Sequence, residues 1–519
     1  MSRPDELAAG WVVAPLGDLL TGIETGKSFQ CDERPPSAEE VGVVKVSAVS
    51  WGEYREQESK TCMNVDRVNT DYFIRPGDFL FSRANTIELV GACVIARQVT
   101  LRVMLSDKIL RLQFAWDELK PWVLHFLGSK AGRLQIETLA SGNQESMRNI
   151  GQERIGQIMV PLPPPAEQAR IVGKLEELLS ELDAGVAELK AAQRKLQQYR
   201  QSLLKAAVEG ALTAEWRARN PPQETGAELL ARILRERRAR WEARQLERFE
   251  VSAKDPPAGW RSKYIEAQLP STCQWPPIPA GWAWATMEQL TLAQRYGSSA
   301  KTSENTEGIP VLRMGNVQGG ELVLDALKYL PIAHRDFPGL FLSDGELLFN
   351  RTNSPELVGK TAVFRSQVTP CSFASYLIGV TMVDQYMPEF ASAFINSLYG
   401  RSWVASVVTQ QVGQANVNGS KLAAFAVPLP PEAEQREVLA VLSEQLRGLN
   451  EQSVAVEHGL RLATDQRQNI LRAAFSGQLV PQDPNDEPAS ALLARIRAER
   501  EAAARPPPPS RRTKTKASA

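Results

Sequence analysis

The sequence predicts an α+β protein in which two mixed α/β globular units alternate with two long helices. Three observations lead to this fold class: the chain repeats one plan, a proline-rich phrase stands at the same place in both copies, and each phrase precedes a helix-like stretch with a seven-residue leucine period. A chain of 519 residues also exceeds what one hydrophobic core supports. We therefore expect three or four structural units related by a pseudo-twofold internal repeat.

The repeat runs along most of the chain at a nearly constant offset. VPLPPPAEQ at 160–168 recurs as VPLPPEAEQ at 427–435, and GDFLFSRANTIELVG at 77–91 recurs as GELLFNRTNSPELVG at 345–359. After each proline phrase, LLKAAVEGALT (203–213) matches ILRAAFSGQLV (470–480) in the same register. The order is therefore globular unit, helix, globular unit, helix.

The globular units are predicted to combine strands and helices. Short β-branched and aromatic runs separated by Gly, Pro, Asn and Asp are typical of strands, as in VGVVKVSAV, GDFLFSR and GACVIAR of the first copy and IPVLRM, GELLFNR and KTAVF of the second. Segments 121–139 and 388–408 have helical spacing of their apolar residues.

Each proline phrase is predicted to be a joint between a globular unit and a helix. Prolines lack the N–H donor and fix φ, so three or four of them cannot lie within a helix or a central strand. The Glu-Gln pair that follows stands where the free N–H groups of a first helical turn accept side-chain oxygens.

The stretch after each joint is predicted to be one long helix with a single apolar seam. Residues 166–209 contain no proline, and a helix of that length would span roughly 65 Å. Two seams in one chain are most simply buried against each other, as an antiparallel intramolecular coiled coil. The predicted seam residues are Leu175, Leu182, Leu189, Leu196 and Leu203 in the first helix, and Leu442, Leu449, Val456, Ala463 and Ile470 in the second.

These signals divide the chain into five parts. They are a globular unit at 1–160, a helical region at 161–255, a second globular unit at 256–427, a second helical region at 428–505, and a disordered basic tail at 506–519.

Composition narrows the function classes only in part. Lysine plus arginine equals aspartate plus glutamate at 60 each, which argues neither for nor against a nucleic-acid partner. Five cysteines without a CxxC pair and only three histidines disfavour a zinc site or a disulfide framework. The N-terminus lacks the apolar core of a signal peptide, and no apolar run reaches the length of a membrane span, so we expect a cytoplasmic protein with no membrane partner.

Two stretches resemble catalytic or nucleotide-binding motifs and fail on inspection. In TGIETGKSF (21–29) only three residues separate Gly22 from Gly26, whereas a phosphate-binding loop needs four. NPPQ (220–223) lacks the aromatic ring that would stack on an extruded base. With three unrelated histidines, an enzyme is the weaker class and no catalytic residue or metal ligand is predicted.

The duplicated G-x-x-LF-x-R-x-N-x-x-ELVG and PLPP-x-x-EQ elements, in this order, resemble the specificity (S) subunit of type I restriction–modification systems, the HsdS family. The resemblance covers all but the basic tail. It implies that the globular units are target-recognition domains and that the helical regions are spacers.

The resemblance also implies partners and cofactors. The chain itself would be a non-catalytic subunit without a cofactor. It would bind double-stranded DNA and two methyltransferase (M) subunits that hold S-adenosylmethionine, and through them restriction/translocase (R) subunits that use ATP and Mg. The complex would be an adenine-N6 DNA methyltransferase and an ATP-dependent endonuclease.

Such a chain would read an asymmetric bipartite DNA target. Each domain covers a few base pairs of one half-site, and the paired helices fix the length of the unread gap. Because the two domains differ in sequence, the half-sites should differ.

Candidate DNA-contacting residues fall into a shared and a divergent set. The shared set is Arg83 and Asn85 with Arg351 and Asn353, for which a loop-stabilising role is an equal alternative. The divergent set is Lys45, Ser47 and Trp51 against Arg313, Asn316 and Gln318, and Gln144 and Arg148 against Gln411 and Gln414. For each residue of the divergent set, a solvated surface position is an equal alternative. The rival function is a non-DNA coiled-coil assembly or adaptor protein.

Overall fold

A computed structural model describes most of the chain. The described residues are 8–144, 147–271, 275–354, 357–411 and 414–504. The predicted basic tail at 506–519 lies outside them.

The first half of the chain contains a long helix preceded by a strand-rich region. Its helices are α1 (Leu16–Leu19), α2 (Leu119–Gly128), α3 (Lys130–Leu139), α4 (Gln152–Gly156), α5 (Pro165–Val208), α6 (Ala214–Arg219) and α7 (Gly226–Val251). Its strands are β1 (Val12–Pro15), β2 (Leu20–Thr25), β3 (Cys31–Asp32), β4 (Val41–Val44), β5 (Ser59–Cys62), β6 (Phe79–Ser82), β7 (Ala84–Asn85), β8 (Cys93–Ile95), β9 (Arg102–Met104), β10 (Ile109–Phe114), β11 (Ser141–Gln144), β12 (Met147–Asn149) and β13 (Met159–Leu162).

The second half follows the same plan. Its strands are β14 (Ala283–Thr286), β15 (Thr291–Tyr296), β16 (Ile309–Leu312), β17 (Val317–Gln318), β18 (Glu321–Leu322), β19 (Lys328–Leu330), β20 (Leu347–Asn350), β21 (Thr352–Asn353), β22 (Thr361–Val363), β23 (Ser372–Phe373), β24 (Leu377–Met382), β25 (Thr409–Gln411), β26 (Gln414–Asn416) and β27 (Ala426–Leu429). Its helices are α8 (Met287–Leu290), α9 (Pro388–Asn396), α10 (Leu398–Val407), α11 (Gly419–Ala423), α12 (Glu432–Phe475) and α13 (Ala489–Ala504).

The chain forms two compact units. Unit 1 comprises the residues up to Leu189 together with those from Glu457 onward, and unit 2 is Lys190–Val456. Compactness thus groups the residues differently from the five parts predicted from the repeat, because each long helix contributes one part to each unit.

The main sheets of the two units correspond strand for strand, whereas the sheet β3-β5-β4-β9 of unit 1 has a three-stranded counterpart, β19-β16-β23, in unit 2. Unit 1 has a sheet of order β2-β10-β6-β8, and unit 2 has β15-β24-β20-β22 in the same antiparallel pattern. Each unit also contains one parallel pair, β4 with β9 and β16 with β23. The predicted mixed α/β character and the internal repeat are therefore confirmed.

Each helical segment predicted within a globular unit is two helices rather than one. Ser129 separates α2 from α3 in extended conformation, and Ser397 separates α9 from α10 in the same way. Each serine Oγ donates to the carbonyl of the residue three positions earlier, and Ser129 Oγ also accepts from Gly132 N. Apolar spacing alone carried no sign of this break.

The long helices begin and end where the sequence predicted. Helices α5 and α12 are 44 residues each. In unit 1, Leu175 shares a core with Ile470, Gly459 lies against Leu189, and Asp183 forms an ion pair with Arg467. Partner numbers rise along one helix as they fall along the other, so these parts are antiparallel.

In unit 2, the remaining parts of the two helices pack in the same way. Leu203 shares a core with Leu442 and Leu449, and Arg200 Nη1 donates to Asn450 Oδ1 at 2.8 Å. This bond repeats the Asp183–Arg467 pair of unit 1, since both partners are 267 positions away from their counterparts.

The predicted seam residues are buried or half-buried along both helices. Leu175, Leu203, Leu442, Leu449 and Ile470 are buried, whereas Leu182, Leu189, Leu196, Val456 and Ala463 are half-buried.

The Glu-Gln pair of each joint does not bind its own helix's N–H groups, which corrects the prediction. Glu434, 2% exposed, accepts from Trp282 Nε1 at 2.8 Å, and Glu167 accepts from Trp11 Nε1 at 3.1 Å. Gln435 Nε2 donates to Gln385 O and Gln168 Nε2 to Glu118 O. The phrase recurs because in both units it ties the helix start to the globular part.

Candidate nucleic-acid interface

In unit 1, Arg83 stands where strand β6 ends, held by backbone bonds on both sides. Its N donates to Lys108 O and its O accepts from Ile150 N, both at 2.9 Å. Its side-chain Nε donates to Asn149 Oδ1 at 3.3 Å. The fold fixes the position of this arginine at an edge where polar side chains collect.

The hairpin of β11 and β12 completes this edge of unit 1. Strand β12 pairs with β7, so that Arg148 lies opposite Asn85. Arg148 Nη1 donates to Gly142 O at 2.8 Å. Gln144 ends β11, opposite Met147, and the structure describes its backbone only. The structure thus brings the predicted Arg83, Asn85, Gln144 and Arg148 into one small sheet.

The turn after β4 reaches the same edge of unit 1. Asn85 Nδ2 donates to Ser50 Oγ at 3.3 Å, next to Trp51, which is 60% exposed. Lys45 and Ser47 are already engaged: Lys45 Nζ donates to Glu33 O at 3.0 Å, and Ser47 Oγ donates to Glu58 Oε2 at 2.7 Å. In this set Trp51 therefore presents the most accessible side chain.

The local charge at this turn is nearly balanced. Lys45 and Lys60 both pair with Glu33. The hydrogen bond from Lys60 holds the pKa of Glu33 below its usual value, so this carboxylate stays charged at neutral pH. Unit 1 is thus not strongly basic here.

Unit 2 repeats the strand-end site. Arg351 N donates to Tyr376 O at 3.0 Å, Arg351 O accepts from Val417 N at 2.9 Å, and β21 pairs with β26 so that Asn353 lies opposite Ala415. Asn353 Oδ1 accepts from Ser354 N at 2.8 Å.

The hairpin of unit 2 carries two further predicted residues. Gln411 and Gln414 face each other across β25 and β26, and their side chains lie outside the description. The backbone therefore places them on the same sheet as Arg351 and Asn353.

Of the remaining predicted residues, Asn316 has a structural role. It is 4% exposed, its Oδ1 accepts from Arg313 N, and its Nδ2 donates to Val323 O at 2.8 Å. This buried amide stabilises a turn, and we therefore assign Asn316 a structural role in place of a DNA contact. Arg313 Nη2 donates to Ala326 O at 3.3 Å, and the exposed Gln318 donates to Gly315 O at 2.8 Å.

Sequence reasoning missed Tyr296. The guanidinium carbon of Arg351 lies 4.8 Å from the centroid of its ring. Tyr296 ends β15, and Thr25 ends the corresponding strand β2 of unit 1. Because the first copy has no aromatic residue at this position, the repeat gave no signal for it.

Unit 2 also contains a groove between α12 and the globular part, with a volume of about 1210 Å³. Its apolar lining includes Leu204, Met387, Leu446 and Val454, of which Val454 is 61% exposed. Charged side chains, among them Arg200, Glu321 and Arg436, also line this groove.

Other chemistry has no support within the described ranges. They hold no group of three or more His, Cys, Asp or Glu side chains placed to bind a metal ion. None of their helices combines the length and the apolar character needed to cross a membrane.

The fold and the paired strand-end sites define a tandem-repeat protein with one polar edge in each unit. Curated relatives of this chain are type I restriction enzyme specificity subunits. The EcoKI specificity subunit of Escherichia coli K12 is 26% identical over 391 residues, 73% of this chain and 72% of that protein. The EcoEI specificity subunit of Escherichia coli is 31% identical over 194 residues, 37% of this chain and 33% of that protein.

A solved structure supports the fold. A chain from work on complex assembly and conformational transition of the type I R-M system matches with a TM-score of 0.57 at 16% identity, covering 91% of this chain and 99% of that one. No family model matches the sequence. The chain is thus a relative of the type I specificity subunits, which confirms the resemblance inferred from the repeat and the predicted fold class.

Proposed function

We propose that this chain is the DNA sequence-specificity subunit of a type I restriction–modification complex. The observation that carries the proposal is the duplicated edge: Arg83 with Asn85 and Arg351 with Asn353 leave equivalent strands, and each pair shares a small sheet with a hairpin whose sequence differs between the units. Arginine donors suit guanine edges and phosphates, and asparagine suits adenine.

The target would be bipartite and asymmetric. Each unit presents one edge, and the residues on the two hairpins differ, so each unit would read its own half-site. The antiparallel helices, which the seam and the Arg200–Asn450 bond hold in register, would set the number of unread base pairs between half-sites.

The chain would act together with partners. The two M subunits would hold S-adenosylmethionine, carry out adenine-N6 methylation and recruit R subunits that use ATP and Mg, so this chain would need no catalytic residue or cofactor of its own. A net charge of zero supports such sharing, because phosphate contacts dominate DNA affinity and the partners would supply most of them. A DNA-reading role also favours a cytoplasmic location.

The groove of unit 2 is the surface we propose for one M subunit. Its apolar lining on helix α12 suits an amphipathic helix of that partner. A charge at Val454, which is 61% exposed, should weaken the complex without unfolding unit 2. Leu446→Asp is the stronger variant, and Leu462→Asp, exposed on the same helix in unit 1, is the matched control.

A gel-shift titration tests the proposal. Duplexes from a library with two randomised half-sites are mixed with the chain alone and with the chain plus its M subunit, at fixed salt. We expect selection of one bipartite sequence, at least 1,000-fold tighter than non-specific DNA, in the presence of M. Equal binding of all duplexes, with the M complex still formed, would favour the adaptor function, for which the groove is the supporting observation.

A further inference from the structure

The two strand-end arginines are held differently, although their backbones correspond. In unit 1, Arg83 Nε donates to Asn149 Oδ1 at 3.3 Å. In unit 2, the counterpart of that asparagine, Asn416, instead donates from Nδ2 to Thr352 Oγ1 at 2.7 Å. Unit 1 has Ala84 at the position of Thr352, so only unit 2 has a hydroxyl that captures the asparagine.

Arg351 is therefore left without an acceptor among the described residues. Its Nε is buried and unpaired, and its side chain forms no ion pair within the described ranges. Other arginines of unit 2 are paired with carboxylates, since Arg295 pairs with Glu346 and Arg365 pairs with Asp344. Partial burial of a charged guanidinium without hydrogen-bond acceptors destabilises the folded state, and a ligand that supplies acceptors would remove this cost.

Tyr296 holds this guanidinium in place. The ring centroid is 4.8 Å from the guanidinium carbon, and the hydroxyl accepts from Gly419 N at 3.0 Å, which fixes the ring. A Cβ at position 419 would lie 2.7 Å from the hydroxyl, so glycine allows the close approach of this backbone to the ring. Contact with an aromatic face fixes an arginine without consuming any of its N–H donors.

We infer that Arg351, supported by Tyr296, reads a guanine in the half-site of unit 2, and that Arg83 of unit 1 lacks this aromatic support. This inference rests on the proposed DNA-recognition function and deepens it. The buried Nε cannot reach a base, but the two Nη groups donate to no acceptor among the described residues and match the O6 and N7 acceptors of guanine, the commonest specific arginine contact in the major groove.

The presence of a hydroxyl at position 352 distinguishes the two arrangements. Replacing Thr352 with alanine removes the hydroxyl that accepts from Asn416 Nδ2, so that the amide can rotate and present its Oδ1 to Arg351. The Thr352→Ala variant should therefore give unit 2 the bond of unit 1 and weaken guanine reading, while leaving Arg351 itself unchanged.

The test is methylation of a plasmid library with randomised half-sites by the full complex of chain and M subunits, read by sequencing of methylated adenines. Wild type should give a bipartite motif with a guanine in one half-site. Arg351→Lys and Tyr296→Thr should lower discrimination at that one position by roughly 10- to 100-fold, leaving the other half-site unchanged. Tyr296→Phe keeps the ring and should retain discrimination, and Arg83→Lys should leave this position unaffected.

The contrary outcomes are distinct. A loss that is uniform across all sequences, with a salt dependence reduced by about one ion, would make Arg351 a phosphate contact and overturn the inference. Unchanged specificity in Arg351→Lys would assign the residue a purely structural role. If wild type yields no bipartite motif, the proposed function itself fails.

Discussion

Replacing the buried glutamate of each joint by glutamine should affect the two units unequally. Glu434 accepts three bonds of 2.8 Å, from Trp282 Nε1, Thr213 Oγ1 and Arg217 Nε. Glutamine keeps the shape but loses the charge and places an NH₂ group against one of these donors. Loss of a charge-assisted bond costs about 1.5–3 kcal/mol, and an opposed buried donor adds about 1–3 kcal/mol. Because Arg217 is partly exposed, water can solvate its charge in the variant, and we expect a total loss of stability of about 3 kcal/mol.

The matched change in unit 1 should be mild. Glu167 accepts from Trp11 Nε1 at 3.1 Å and from Gln482 Nε2 at 3.5 Å, and no described arginine or lysine forms a hydrogen-bonded ion pair with it. Glutamine at 167 can turn its oxygen to the indole and its NH₂ to the amide of Gln482, which can present its own oxygen after a flip. We expect a cost of about 1 kcal/mol or less.

Urea unfolding followed by hydrogen-exchange mass spectrometry separates the units, since peptides containing Trp282 and Trp11 report on unit 2 and unit 1. Glu434→Gln should lower the unfolding midpoint of unit 2 alone, and Glu167→Gln should barely shift that of unit 1. Equal shifts, or a larger one for Glu167→Gln, would refute the account of the joint.

Three further expectations concern stability and reactivity. Leu175→Ala should destabilise unit 1 by about 2–5 kcal/mol, and Leu182→Ala, at a half-buried seam position, should cost clearly less in the same urea assay. Burial lowers the pKa of His125, so below about pH 6.5 the unfolded chain binds a proton that the folded chain does not. The urea midpoint of unit 1 should therefore fall as the pH drops below this value, and His125→Gln should reduce that fall. Unit 2 has Ala393 at this position and should not show this contribution. Burial raises the pKa of Cys371 to about 12, so iodoacetamide at pH 8 should modify it only in urea, and modification of the folded chain would contradict its burial.

The repeat and the leucine period were sufficient to predict the fold class and the extent of both long helices. Both signals can be read from the sequence without knowing any tertiary contact. The seven-residue period lies within a single helix, and the offset of 267 residues comes from comparing the sequence with itself. The bond of Arg200 with Asn450 and the pair of Arg467 with Asp183 show how far the symmetry extends.

The partners of individual polar groups could not be predicted. The acceptors of the joint bind an indole more than 150 residues away, and no periodic pattern encodes that distance. Asn316 was chosen because it diverges between the copies, yet it holds a turn that the other copy builds differently. A residue that differs between the copies can be either exposed or structural, and only the structure shows whether its side chain faces outward.

Of the candidate interface, sequence reasoning found the arginine and asparagine positions and missed the support of one of them. Arg83 and Arg351 look equivalent in the repeat, and the difference arises from Thr352 and Tyr296, which lie at positions where unit 1 has Ala84 and a threonine. Two small substitutions redirect one amide and one guanidinium.

The most direct test of the account is to map methylated adenines in host DNA with this gene present and with it deleted, the M gene being intact in both. We predict that the presence of the gene adds one motif made of two unlike half-sites separated by a gap of fixed length. Methylation that is unchanged by the deletion, or that follows a continuous or symmetric motif, would contradict the account of two unlike readers in one chain.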